Sequence, residues 1–219
     1  MTNADRVGIE TDRVTDAIAA FKAGDPILAY DSADRENEVD MVYPACVVQP
    51  ADVARMRNDA GGLICVALSD AVTATLELPF AREAIDHPVA ASDSLEYDAR
   101  SASSLTVNHR DTFTGITDRD RAVTISELGA LAAEPCLGTF VEQFRSPGHV
   151  QLLRAAPELL ADRRGHTEFA VALAQNANRP PAAVVCEMLD DETGTALDPD
   201  DAKRYAESEG LVYVDMSDL

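Results

Sequence analysis

The sequence predicts a mixed α/β fold of the α+β kind, a single domain over residues 1–219 with a mixed sheet flanked by helices. Three observations carry this reading. Helical and strand patterns alternate along the chain. No internal repeat, low-complexity linker or composition break divides it. With 219 residues, 46% of them hydrophobic, it has enough apolar material for one sizeable core.

Asp12 is placed to cap a first helix, with Val14, Ile18 and Phe21 on one face and Gly24 at its end. Ile27–Tyr30 and Met41–Val48 read as strands on either side of an acidic stretch. Pro50 suits the first turn of a helix through Met56, stopped by Gly61-Gly62. Leu63–Leu68 is a continuous apolar run of strand length. Residues 79–104 are polar and weakly patterned, and read as a long loop. Leu105–Val107 is a further strand. Thr124-Ile125-Ser126-Glu127 has capping-box spacing and predicts a helix start there, running through Ala132. Pro147-Gly148 predicts a turn before a strand over His149–Ala155. Thr167 to Asn178 is helical in pattern, and Ala183–Leu189 is a strand. Asp198-Pro199 opens a last helix that Gly210 ends, and Leu211–Asp215 is the last strand.

The formal charge is −21, from 39 acidic against 18 basic residues, and Lys22 and Lys203 are the only lysines. A surface of that sign repels nucleic acid and anionic membrane, so neither is an expected partner. An acid-rich, lysine-poor composition resembles that of halophilic archaeal proteins. No apolar run reaches the ~18–20 residues of a membrane span. The first residues lack the basic and apolar regions of a signal peptide, so a cytoplasmic location is expected. Cys46, Cys65, Cys136 and Cys186 include no C-x-x-C pair, which argues against a zinc ribbon or a thioredoxin-like site. Cys46, Cys65 and Cys186 lie in apolar runs and read as reduced core residues.

Four segments carry candidate chemistry. Residues 31–41 contain Asp31, Asp34, Glu36, Glu38 and Asp40 with Arg35 among them, between two apolar runs. Oxygen ligands of this kind suit a hard divalent cation; taken alone, the stretch reads equally well as a solvated acidic loop. Arg163-Arg164-Gly165-His166-Thr167-Glu168 stands at a helix start, where free N–H groups, a hydroxyl and guanidinium groups can hold a phosphate. Its plainer reading is Thr167 as helix cap, with arginines tied to surface carboxylates. His149 follows Pro147-Gly148 at the head of a strand, and by itself reads as structural. Glu187 interrupts an apolar strand, where a carboxylate needs a partner, a proton or an edge position facing water.

Together, Asp-Arg-Glu-Asn-Glu (34–38), Ser-Pro-Gly-His-Val (146–150), Gly-His-Thr-Glu (165–168) and Cys-Glu-Met (186–188) resemble, in order, the signatures of 3,4-dihydroxy-2-butanone 4-phosphate synthases. Gly61–Val66 and Thr114–Thr117 also match the family pattern, and the resemblance spans residues 11–215. One departure is Val39, where the family usually has glycine, which raises the question of a stiffer loop. The resemblance is to the monofunctional form, so the zinc-binding GTP cyclohydrolase domain fused in some relatives is not expected.

The resemblance implies the dihydroxybutanone phosphate synthase fold and conversion of D-ribulose 5-phosphate to L-3,4-dihydroxy-2-butanone 4-phosphate and formate, in riboflavin biosynthesis. It implies Mg²⁺ as cofactor, two ions per site with Mn²⁺ as a possible substitute, held by Glu36 and His166. Arg163, Arg164, Gly165 and Thr167 fall in the phosphate-holding stretch. Arg35 and Asp40 contact substrate, and His149 and Glu187 correspond to the essential polar pair. A homodimer is implied as well. Two rivals remain at this stage: another Mg²⁺-dependent sugar-phosphate enzyme, such as an isomerase or aldolase, and a non-catalytic anion- or metal-binding protein.

The charge yields a first prediction. Repulsion among unpaired carboxylates reaches about 10 Å at 0.1 M salt and about 3 Å at 1 M. The melting temperature should therefore rise from 0.1 M to molar KCl in thermal melts. A flat or falling value would refute the halophilic reading.

Overall fold

The structure is a computed structural model that describes residues 3–90 and 100–216, with side chains from Arg13 onward. Among the described residues seven strands form one sheet: β1 (Ile27–Tyr30), β2 (Val39–Pro44), β3 (Cys65–Leu68), β4 (Ser103–His109), β5 (Phe144–Arg154), β6 (Ala182–Glu187) and β7 (Val212–Asp215). Their order is β4-β5-β3-β6-β2-β1-β7. β1 pairs parallel with β7 and β3 with β5, while the other neighbours are antiparallel. The sheet is therefore mixed, as expected. β2 and β3 are buried at every position, because helices cover both faces and their apolar runs need no polar alternation.

The helices are α1 (Asn3–Ala23), α2 (Pro50–Asp59), α3 (Asp70–Thr75), α4 (Ala81–Ala84), α5 (Asp118–Leu131), α6 (Leu137–Gln143), α7 (His166–Asn176) and α8 (Pro199–Glu209). Phe21 of α1 and Phe169, Leu173 and Ala174 of α7 pack on Ile27, Ala29, Val42, Cys65, Val185 and Val214. Val53 and Met56 of α2, Ile125 and Leu128 of α5, and Ala202 and Ala206 of α8 cover the opposite face, against Leu28, Met41, Tyr43, Val66 and Val184. Strand periodicity sends alternate residues to the two cores. Asp40 therefore shares the α7 face with Val42, and Glu187 shares it with Val185.

Several expectations need correction. The first helix runs through Asp12 from Asn3; no proline lies in that stretch, and the single Gly8 costs only about 1 kcal/mol. The strand expected over Met41–Val48 begins at Val39 and ends at Pro44, where Ala45–Val47 turn into a 3-10 helix. Leu63 and Ile64 precede β3 rather than belonging to it. Short helices at Ala81–Ala84 and Pro88–Ala90 occupy part of the expected long loop, and residues 91–99 of that stretch lie outside the described residues. β5 starts at Phe144, ahead of the predicted turn. Its register jumps from Val107↔Val150 to Asn108↔Arg145, so Ser146 to His149 are looped out of the ladder. The Pro-Gly signal thus produced an insertion within a strand instead of a strand start.

The capping box at Thr124 is also overruled. α5 begins one helical stretch earlier, with Thr117 as N-cap accepting the N–H of Asp120. Thr124 lies inside the helix and is fully buried. Its hydroxyl accepts the His109 N–H at 3.0 Å and donates to the Asp120 carbonyl at 3.1 Å, fastening α5 to β4. Thr124→Val keeps the shape and leaves the His109 N–H without a partner. It should lower stability by about 1–3 kcal/mol in urea unfolding; a change under about 0.5 kcal/mol, typical of an uninvolved surface position, would contradict this.

Candidate active site

A cleft of about 260 Å³ opens on the α7 face of the sheet, lined by Glu36, Asp40, Cys65, Gln151, Arg163, His166, Thr167 and Glu187, among others. Three pieces of chain build it. The loop between β1 and β2 supplies Glu36, the paired ends of β2 and β6 supply Asp40 and Glu187, which are direct register partners, and the start of α7 supplies His166 and Thr167.

Asp31 shapes the loop. It is 2% exposed. One carboxylate oxygen accepts the Glu36 N–H at 3.0 Å and the other accepts the Glu38 N–H at 3.1 Å. Arg35 stands 3.7 Å from the same carboxylate and 3.9 Å from Glu36. The loop turns at Asn37, whose φ of 57° lies in the left-handed region that asparagine tolerates. Val39 is a buried β2 residue paired with Tyr30, with no positive φ. The family's missing glycine therefore costs this backbone nothing.

His166 is 5% exposed. Its Nε2 lies 3.0 Å from the carbonyl oxygen of Ala29. A carbonyl only accepts, so Nε2 carries a hydrogen and Nδ1 is the nitrogen left for a proton or a metal ion. Nδ1 faces Glu36 Oε2 and Asp40 Oδ1, each at 3.6 Å. Asp40 Oδ1 is buried and has no hydrogen-bond partner. One ring nitrogen and two carboxylate oxygens thus converge on one point, an arrangement that calls for positive charge there, a proton on the ring or a metal ion. Asp31, Glu36 and His166 form a group able to hold a metal ion, with ligand atoms within 4.8 Å of one another.

The model for 3,4-dihydroxy-2-butanone 4-phosphate synthase matches residues 15–219. The chain belongs to this family. It is similar to the synthase of Archaeoglobus fulgidus, 48% identical over 212 residues and covering 91% of this chain and 89% of the relative. The synthase of Methanosarcina mazei is 46% identical over 93% of this chain and 88% of the relative. Among solved structures, a 3,4-dihydroxy-2-butanone 4-phosphate synthase in complex with two magnesium ions superposes with a TM-score of 0.81, at 31% identity over 94% of this chain and 93% of that one. As a member of the synthase family, the chain is an enzyme of riboflavin biosynthesis.

Within this synthase the expected site residues fall into three places. Glu36, Asp40, Arg163, His166, Thr167 and Glu187 line the cleft. Gly165, not Thr167, is the N-cap of α7. A Cβ there would stand 2.4 Å from the Arg163 guanidinium, which crosses over it to reach Glu168 at 2.8 Å. Arg35 and Arg164 line a neighbouring pocket with Asp31, Ser32 and Asp34. His149 lies apart from the cleft, exposed, beside Asn108. Glu187 is not on an edge, since β6 runs between β3 and β2.

Sequence reasoning passed over the clamp role of Asp31, and passed over Ser101, Ser103, Gln151 and Cys65 as cleft residues. The signal for Asp31 was its place directly after an apolar strand. Gln151 was a polar residue between the buried Val150 and Leu152 of a partly exposed strand. Cys65, expected in the core, is 4% exposed and also forms part of the cleft wall. Ser101 and Ser103 gave no signal in a stretch without pattern.

Burial pushes Asp40 up to about 8, with Glu187, Glu36 and Glu38 adding to the rise and His166 opposing it. Burial also raises Glu187 and Glu38. Glu36 is lowered, chiefly by its contact with His166. For His166, burial disfavours the charge, yet Asp40, Glu36 and Asp31 outweigh it and carry the imidazole to about 9. The raised His166 stabilises the metal-free fold fully below its ordinary 6.5, and that contribution is gone above about 9. In chelator-treated protein, the stability advantage of wild type over His166→Gln should shrink by up to about 3 kcal/mol across that window, at ~1.4 kcal/mol per pH unit. Urea unfolding at the two ends of the window measures it; a constant or widening gap would contradict the assigned environment.

Proposed function

We propose that this cleft converts D-ribulose 5-phosphate to L-3,4-dihydroxy-2-butanone 4-phosphate and formate. The observation that carries the proposal is the convergence of His166 Nδ1, Glu36 and Asp40 on one point, beside a helix start suited to phosphate. Glu36 and His166 fit the family's paired Mg²⁺ ions, with Mn²⁺ a chemically similar substitute. The donor set of carboxylates plus one imidazole suits a hard cation, and the unpartnered Asp40 Oδ1 is left for the cation or its water. When bound, Mg²⁺ would act as a Lewis acid that stabilises charge developing on substrate oxygens.

The chain's own residues supply the rest. Arg163 and Thr167, with the N–H groups that open α7, would hold the phosphate, and Arg164 would add positive charge from the neighbouring pocket. Arg35 and Asp40 would contact the sugar. The reaction must remove a proton beside a ketone, lose and regain water and release formate, which calls for groups that exchange protons near neutrality. Glu187, raised by burial, is suited to that work, and His149, outside the cleft of its own chain, would act as the second polar group across the homodimer.

The working unit of this reading is one domain per chain in a cytoplasmic homodimer. Exposed apolar side chains support the dimer: Phe113 is 93%, Val141 61% and Ile116 51% exposed. They belong to one region, since Arg145 reaches the Phe113 carbonyl and Arg110 the Val141 carbonyl. No helix among the described residues is long and apolar enough to cross a membrane. The acidic composition supports adaptation of the enzyme to molar salt.

Glu36→Gln and His166→Ala should each reduce formate release from ribulose 5-phosphate to background, with folding retained in circular dichroism. Near-normal turnover by either variant would sink the assignment. Arg163→Lys and Thr167→Val should raise KM by about tenfold, the loss of one charge-assisted or bidentate contact being worth roughly 1.4 kcal/mol or more. Mg²⁺ affinity in calorimetry should stay unchanged. An unaltered KM in both variants would show that these residues only shape the helix start.

A further inference from the structure

His149 does not stand free: its one set of side-chain partners belongs to a single buried residue. Asn108, in β4, is 3% exposed. Its Oδ1 accepts the backbone N–H of His149 at 2.8 Å. Its Nδ2 lies 3.1 Å from His149 Nδ1 and 3.5 Å from the carbonyl oxygen of Thr114. The amide packs flush against Gly115, where a Cβ would fall 2.0 Å from Nδ2. Because Ser146 to His149 are looped out of the β4–β5 ladder, this amide takes the place of the missing strand contacts.

The orientation of the amide follows from its neighbours. A backbone N–H only donates and a carbonyl only accepts. Rotating the amide by half a turn would set its NH₂ against the His149 N–H and its oxygen against the Thr114 carbonyl, losing both contacts. With the orientation fixed, one Nδ2 hydrogen serves Thr114 and the other points at His149 Nδ1. Oδ1 also lies near Nδ1, at 3.3 Å, but Nδ2 is the closer partner at 3.1 Å and has a hydrogen left to give. Nδ1 is therefore the acceptor. The proton of the neutral ring sits on Nε2, on the exposed side.

We propose that Asn108 is a positioning residue for the reaction, holding His149 as the Nε2–H tautomer so that it presents an N–H donor, not a lone pair, to a substrate oxygen. This rests on the reading of His149 as part of the reaction machinery. It assigns His149 to orienting and polarising an oxygen of the substrate, and it leaves proton abstraction to a carboxylate of the cleft. The choice of tautomer matters because a ring held in the wrong one keeps its place and loses its chemistry.

The test uses the full-length enzyme, metal-free and Mg²⁺-loaded, with ¹⁵N-labelled imidazoles at a pH where His149 is neutral. The four histidines are assigned by single His→Gln variants. Long-range ¹H–¹⁵N spectra should show wild-type His149 protonated at Nε2. Asn108→Asp offers two acceptor oxygens and should move the proton to Nδ1; Asn108→Ala should give a mixture. In Asn108→Asp, kcat should fall by roughly 100-fold, the scale of one general acid–base or orienting group, with KM changed far less. An Nδ1–H ring in the wild type would overturn the proposal without any variant. An unchanged tautomer, or an unchanged kcat, in Asn108→Asp would also overturn it. Full activity in His149→Gln would overturn the underlying reading of His149 instead, and the tautomer result would stand apart from it.

Discussion

The hydrogen bond from His166 Nε2 to the Ala29 carbonyl is the constraint on which the site depends. Ala29 belongs to β1 and His166 opens α7, so one 3.0 Å contact joins the sheet to the helix that covers it. The ring is thereby fixed in tautomer as well as position. Its remaining nitrogen can only face the carboxylates of β2 and the acidic loop. Rotation would bury an unsatisfied ring nitrogen, at a cost of about 1–3 kcal/mol.

Around that ring the fold gathers charge of one sign. Glu36, Glu38, Asp40 and Glu187 share a half-buried space, and pairs of like charges 4 Å apart repel by roughly 4 kcal/mol at an effective dielectric of 20. Asp31 and Arg35 limit the cost by tying down the loop. The remainder is relieved by protons, as the raised values at Asp40 and His166 show. A metal ion relieves it equally well. A site that keeps protons it would otherwise lose is one in which a cation has a place ready, and a metal ion bound here would displace protons. The overall charge of −21 does not create this effect, but it leaves few cations nearby to blunt it.

Much of this was legible because the chemistry sits in contiguous strings. The strands β1, β3, β6 and β7 announced themselves as apolar runs, and Asp198 and Gly210 marked α8 from end to end. The acidic loop, the Arg-Arg-Gly-His-Thr stretch and the Cys-Glu-Met string named six cleft residues. What stayed hidden depended on partners distant in sequence. Thr124 looked like a cap because its hydroxyl suits one, and only the packing of α5 on β4 shows it bonding His109. Asn108 carries no local pattern at all; its role appears once β5 loops beside it. Asp31 looked like one acid among five until its two oxygens were seen to hold the loop backbone. Arg35 and Arg164, adjacent in sequence to cleft residues, line a neighbouring pocket instead, a distinction that no sequence spacing encodes.

The central claim is that His166 ligates through Nδ1 because Nε2 is spent on Ala29. Anomalous diffraction from crystals grown with Mn²⁺ tests it directly. The account predicts a manganese peak about 2.0–2.3 Å from His166 Nδ1 and from a Glu36 carboxylate oxygen, with the Nε2–Ala29 contact intact. A peak on Nε2, or ordered manganese only at sites outside this cleft, would contradict it.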